Sequence, residues 1–142
     1  MDAMLVTLSD TNDGPGECNE GFIRDEALLV IVIITDEWDG PGDPEGSSSA
    51  GDPDSWYEAV VEAKGGISQN AVALALINYT ADADEDPSPF DTYFDGTTIK
   101  AFTDRFEENG FVGGICEADY GPIFQAAIGV IDTACENFIP PE

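Results

Sequence analysis

The stretch that most limits what this chain can fold into runs from Ala27 to Thr35: an unbroken apolar segment, rich in β-branched Val and Ile, set between Arg24-Asp25-Glu26 and an acidic, Gly/Pro-rich region. A helix of that length is the alternative, but no polar stripe interrupts the run, and its β-branching and abrupt acidic end favour a strand. An apolar run without alternation implies a parallel strand buried on both faces, an inner member of its sheet. Its C-terminal end delivers Asp36, Glu37 and Asp39 into one tight turn. In open α/β sheets the crevice beyond the carboxyl ends of the strands is where ligands bind. The strand is therefore expected as scaffold, and the turn as the candidate site.

Around this strand the pattern alternates. Met1, Met4, Leu5 and Leu8 make a helical face with no N-cap before it, which reads as the tail of a helix begun earlier. Asp10 to Glu20 and Asp36 to Asp54 are loops. Ser55 with Glu58 reads as a capping box opening a helix with Trp56, Ala59, Val60 and Ala63 inward, stopped by Gly65-Gly66. Asn70 to Ile77 is a second buried strand, followed by an acidic loop to Gly96. Thr98 opens a helix with Ile99, Phe102 and Phe106 inward and Asn109-Gly110 as its stop. Phe111 to Ile115 is a short third strand whose two glycines imply close packing or a bulge. Asp119 is placed as the cap of a last helix, with Pro122 in its first turn and Phe124, Ala127, Ile128, Ile131, Cys135 and Phe138 on one inward face.

This βαβ series predicts a layered α/β fold with a parallel sheet, and 142 residues make one domain spanning residues 1–142. Three strands are few for such a sheet. A flat apolar edge is one that natural proteins do not leave unpaired, so a neighbouring strand is expected to be missing from this chain or supplied by another molecule.

Composition narrows the partners. Thirty Asp and Glu stand against 4 Lys and Arg with no His, for a net charge of −26. Such a surface repels phosphate, which argues against nucleic acid and anionic membrane and favours divalent cations and basic partners. Adaptation to salt or to solubility would produce the same blanket of carboxylates. No segment approaches the ~20 apolar residues of a membrane span, and MDAMLVTLSD has neither the basic region nor the apolar stretch of a signal peptide.

The phrases CNEGFIRDEALLVIVIITDEWDG and GGICEADYGPIF, in this order of elements, resemble the C-terminal half of a von Willebrand factor type A-like domain of secreted bacterial proteins. The resemblance covers Met1 to Phe138. It implies a Rossmann-like, three-layer fold with a mostly parallel sheet whose N-terminal strands are absent here, an extracellular or cell-surface location, and a metal-ion-dependent adhesion site at the C-terminal ends of the strands. Asp36, after Ile34-Thr35, matches the aspartate that the family contributes from its fourth strand. The family's Asp-x-Ser-x-Ser motif has no counterpart in these residues, and its threonine loop cannot be placed, so the chain holds half a site.

The chemistry of the expected site follows from its donors. Oxygen ligands without His or paired Cys select hard cations, so Mg²⁺ or Ca²⁺ is expected, with Asp36, Glu37 and Asp39 as candidate ligands. The three loops leaving the same sheet edge gather half of the 30 acids: Asp36 through Asp54, Asp82 through Asp95, and Glu117 with Asp119. Asp82-x-Asp84-x-Asp86 opens like a calcium loop, but Pro87 and Tyr93 stand where its Gly and Glu belong, and a solvated acidic loop reads better. For the thiols, Cys116 and Cys135 lie at opposite ends of the last helix, ~24 Å apart, beyond the ~7 Å Cα separation of a disulfide. Cys18 falls on the Cys135 side. A Cys18–Cys135 bond with Cys116 free is expected in an exported protein; Cys135 as a buried apolar thiol is the alternative.

There is no GxSxG, P-loop or dinucleotide fingerprint, and Lys64 and Lys100 are both placed on helix surfaces. The reading is thus a non-enzyme: a binding or adhesion module engaging a protein partner through a divalent cation on its acidic edge. The alternative is a structural subunit of an extracellular assembly whose sheet is completed by another chain, including self-assembly by strand pairing into a homo-oligomer. A metal-dependent hydrolase using paired carboxylates is a third, weaker reading.

Overall fold

A computed structural model describes residues 1–9, 14–37, 39, 49–78 and 96–140. The Asp82-x-Asp84-x-Asp86 loop and the acids Asp43, Glu45, Asp91 and Asp95 lie outside the described residues. Within them the chain runs α1 (Asp2–Leu8), β1 (Leu29–Thr35), α2 (Pro53–Ala63), β2 (Ala71–Ile77), α3 (Thr97–Asp104), β3 (Gly110–Gly114) and α4 (Gly121–Glu136), with short 3-10 turns at Ser68–Asn70 and Glu107–Asn109. The strands form one parallel sheet in the order β1-β2-β3. The fold is α/β, a Rossmann-like arrangement with an incomplete sheet.

Two crossovers that advance in the same direction put their helices on the same face when both are right-handed. Accordingly α2 and α3 share a face, joined there by α1. Trp56 and Val60 of α2 and Phe102 and Phe106 beyond it close over Ala71 and Ala73 of β2, with Met1, Met4, Leu5, Leu8 and Leu29, Ile31 and Ile33 packed around them. The aromatic rings meet edge-on: Phe102 to Phe106 at 5.2 Å and Tyr57 to Phe106 at 5.0 Å between centroids. That geometry adds roughly 0.5–1.5 kcal/mol per pair beyond the area buried. Trp56 satisfies its indole N–H on the Ala50 carbonyl, 2.7 Å away. On the other face α4 lies alone, with Ala127 and Ala134 against Val72 and Leu74.

The strand expected at the centre is at the margin. β1 pairs only with β2 among the described strands, and its burial alternates along its length, whereas every residue of β2 is buried. β2 is the inner strand, and β1 is covered on one face only. The run of Val and Ile reflects a strand suited to burial on both sides; the cover for its second side is not supplied by the described residues of this chain.

Local signals shift in register. Asp52, not Ser55, caps α2: its carboxylate accepts the Ser55 amide at 2.9 Å, while the Ser55 hydroxyl accepts the Asp52 amide at 2.9 Å. Pro53, in the first turn, needs no amide partner, so the helix starts three residues earlier than Ser55 and Glu58 imply. Gly65 and Gly66 do stop α2, at φ +64° and +85°, where a side chain would be strained. Asn109-Gly110 is not a helix stop: α3 ends at Asp104, Gly110 begins β3, and buried Asn109 donates to the carbonyls of Gln69 and Ala71 at 3.1 and 3.0 Å. Gly113 reads as expected, since a Cβ there would stand 2.8 Å from Ile123 Cγ2. Asp119 does not cap α4 at its N-cap position, which Tyr120 holds; its carboxylate accepts the Gly121 amide at 2.9 Å.

α4 is rotated relative to expectation. Ala127 and Ala134 face the sheet, while Phe124, Ile128 and Cys135, placed inward from the sequence, are exposed. The apolar arc of α4 is wider than the strip of sheet it covers, so periodicity alone cannot say which edge of the arc packs.

Candidate functional site

The acidic turn after β1 is built around Asp39. One carboxylate oxygen accepts the Ser49 amide at 2.7 Å, and the other accepts the Ser49 hydroxyl at 2.8 Å and the ammonium of Met1. The Asp2 carboxylate takes the Ala50 amide at 2.9 Å, so the start of α1, Asp39 and the approach to α2 are tied in one knot. Burial raises the Asp39 pKa, but the Met1 ammonium and the Ser49 hydrogen bonds outweigh it and hold the carboxyl below its ordinary 3.8. Asp36 and Glu37 are exposed, the Glu37 amide donating to Thr35 Oγ1 at 3.0 Å. The three residues expected as ligands therefore share a turn, but only Asp39 is held by neighbours, and those neighbours are protein donors. Other acids near this edge act singly: Asp52 as a cap, and Asp54 paired with Arg105 at 3.3 Å. Among the described residues no three acidic or thiol side chains are gathered as a metal-holding group.

The surface that the fold leaves open is apolar. In register, Val30, Val32 and Ile34 of β1 stand beside Val72, Leu74 and Leu76 of β2 on one face of the sheet. The β2 side chains are buried beneath α4, yet Val32 is 57 % and Ile34 61 % exposed. Helix residues turn through about 100° each, so Phe124, Ile128 and Ile131 form one flank of α4 beside the stripe of Ala127 and Ala134. Ile131 and Leu28, the residue just before β1, pack against the same buried cluster, which turns this flank toward β1. Phe124 and Ile128, 49 % and 56 % exposed, thus wall a shallow apolar trough floored by Val30, Val32 and Ile34. At the strand's start a cavity of about 160 Å³ is lined by Phe22, Ile23, Ala27, Leu28, Leu29 and Val30 together with Arg24 and Lys64. Half-exposed, each of these five side chains in wall and floor forgoes on the order of 1 kcal/mol of burial.

Lys64 is a functional-looking residue that sequence reasoning misplaced. It is buried, not on a helix surface, and its ammonium donates to the carbonyls of Arg24, Asp25 and Ala27 at 2.6, 3.3 and 2.8 Å. All three of its donors are used. Burial lowers its pKa below 10.5, with Arg24 adding to the shift and Asp25 and Glu26 opposing it. Its role is to pin the segment that leads into β1; the only sequence signal is a lone cation just before a helix-ending Gly-Gly. Asn70, equally unforeseen, clamps the far end of the chain, donating to the Ile139 carbonyl at 2.7 Å and accepting its amide at 2.9 Å. Cys18, Cys116 and Cys135 are free and exposed thiols, so neither the Cys18–Cys135 bond nor a buried Cys135 describes them.

Fold and surface together define a class: a layered α/β module with an unfinished parallel sheet and an uncovered apolar face beside its edge strand. No protein-family model, curated protein or solved structure matches the chain, so the von Willebrand factor A-like resemblance rests on its sequence phrases. No helix of the described residues is long and apolar enough to cross a membrane.

Proposed function

We propose that this chain is a non-catalytic protein-binding module of an extracellular or cell-surface assembly, and that a partner completes its sheet. The observation that carries the reading is the exposed row Val30, Val32 and Ile34 lying beside the open flank of α4. Contiguous apolar surface left exposed in this way marks interaction sites. The test is a photo-crosslinking residue placed at Val32 in the native host, with Glu62 on the surface of α2 as control. A defined adduct at Val32, lost when Ile34→Asp is added, is expected. No adduct at Val32, or equal adducts at both positions, overturns the reading, as does failure of the wild type to bind the apolar dye bis-ANS at this face.

The cation reading has its own observation: Asp36 and Glu37 are exposed at the carboxyl end of β1, where α/β sheets place ligands. It predicts that millimolar Mg²⁺ or Ca²⁺ raises the melting temperature and that Asp36→Asn removes the rise. An unchanged melting temperature in the wild type overturns it.

A further inference from the structure

We infer that the partner enters as an extended strand, paired along the outer edge of β1, with basic residues at its two ends. The inference rests on the proposed binding role of the uncovered face and names the chemistry of what occupies it.

Three observations converge. First, among the described residues β1 is an edge without the usual protections. Its seven residues, Leu29–Thr35, pair one-to-one with Ala71–Ile77 through an unbroken register, with no bulge, proline or charged side chain. Natural edges that are meant to stay single carry one of those devices, because an open row of N–H and C=O groups templates a further strand. Second, the trough alone is too weak. Covering five partly exposed apolar side chains gains no more than association costs in lost freedom. A helix lying in the trough would gain only the apolar part. A strand paired beside β1 gains the main-chain hydrogen bonds of that edge together with lateral side-chain contacts to Val30, Val32 and Ile34.

Third, charge selects the ends of the strand. β1 is bracketed by Asp25 and Glu26 on one side and Asp36 and Glu37 on the other. Of the 4 cations in the chain, Arg24 stands beside Asp25 and Glu26 and offsets one of those two charges, Lys64 is held by three carbonyls, Lys100 pairs with Asp104 at 2.5 Å and Arg105 with Asp54 at 3.3 Å, so the Asp36-Glu37 end carries the stronger selection. A second copy of the chain would bring a further net −26 to these ends. A strand flanked by Lys or Arg meets them with opposite charge, which raises the association rate and rejects acidic competitors.

The test uses the whole chain and a synthetic peptide of alternating Val and Thr over seven positions with two Lys at each end. Binding is measured by fluorescence anisotropy at low and high salt. The Lys-ended peptide is expected to bind, to weaken at least tenfold when the ends are Glu, to weaken at least tenfold when alternate amides are N-methylated, and to weaken with salt. Val32→Asp abolishes binding; Ile34→Asp serves in its place if Val32→Asp lowers the melting temperature. Equal binding of the N-methylated peptide excludes strand pairing and overturns the inference, as does equal binding of the Glu-ended one. Sedimentation equilibrium showing a dimer that Val32→Asp dissolves would make a second copy the occupant and overturn it too. If every peptide fails while the Val32 adduct and bis-ANS binding persist, this inference falls and the binding role stands. If the adduct and the dye signal fail, the binding role falls with it.

Discussion

Val32 and Leu74 are register partners on the same face of the sheet, one strand apart, yet Val32 is 57 % exposed and Leu74 only 5 %. The difference is α4, which roofs β2 and stops short of β1. It separates a side chain that holds the fold together from one that is available to something else. Truncating Leu74 to Ala is expected to cost about 2–5 kcal/mol through the cavity it leaves. Val32→Asp is expected to cost less, about 1 kcal/mol, through the lower strand propensity of Asp. Urea denaturation of both variants checks the contrast, and a large loss in Val32→Asp would mean that the face is covered.

Lys64 ties α2 to the segment before β1 through three carbonyls. Lys64→Met keeps the apolar stem and removes the donors, leaving carbonyls unsatisfied at about 1–3 kcal/mol. Amide exchange at residues 24–29 should accelerate more than exchange in β2. Because the folded pKa lies below 10.5, the unfolded chain keeps the proton longer, so this group's contribution to stability grows as pH rises toward 10.5. That alkaline slope is expected to disappear in Lys64→Met.

Gly113 and Ile123 set the height of α4 over β3, with 2.8 Å between a hypothetical Cβ and Ile123 Cγ2. Gly113→Ala should therefore cost about 1–3 kcal/mol by overpacking. Ile123→Ala in the same chain should recover part of that loss, and a double-mutant cycle in urea reads the coupling.

Asp39 binds the Met1 ammonium and Ser49, and its folded pKa is below 3.8. Its stabilising contribution is then fully present above 3.8 and is lost as pH falls through the lower, folded value. Asp39→Asn should be less stable than the wild type at neutral pH, with the gap closing under acid. Thermal melts from pH 7 down to pH 2 measure it.

All three thiols are exposed and free. A native-state thiol assay is expected to count three reactive groups without denaturant, and a lower count that rises on reduction would reveal a disulfide.

Much of the fold was legible because the signals are local. The alternation of β-branched runs with helical periodicities places β1, β2, α2, α3 and α4 within a few residues of their observed positions, and the Gly65-Gly66 stop and the tight seat of Gly113 follow from glycine chemistry. The position of Asp36 at the end of a strand is equally local. What was not legible depended on distant partners. Asp39 looks like a cation ligand until Met1 and Ser49 are seen to claim its oxygens, Lys64 looks like a surface cation until residues 24–27 fold over it, and Phe124 and Ile128 look inward until α4 is found to cover only part of the sheet.

The amino-acid order alone placed a strand within Ala27 to Thr35, observed at Leu29–Thr35, and made the sheet parallel and short of members. Tertiary structure decided that β2 and not β1 lies at the centre, and that one face of β1 stands open. The reason is physical: a run of Val and Ile encodes that side chains gain by leaving water, but not which surface receives them. That surface is assembled from residues far apart in the chain, and for Val30, Val32 and Ile34 it is the one part of the core that the described fold does not close.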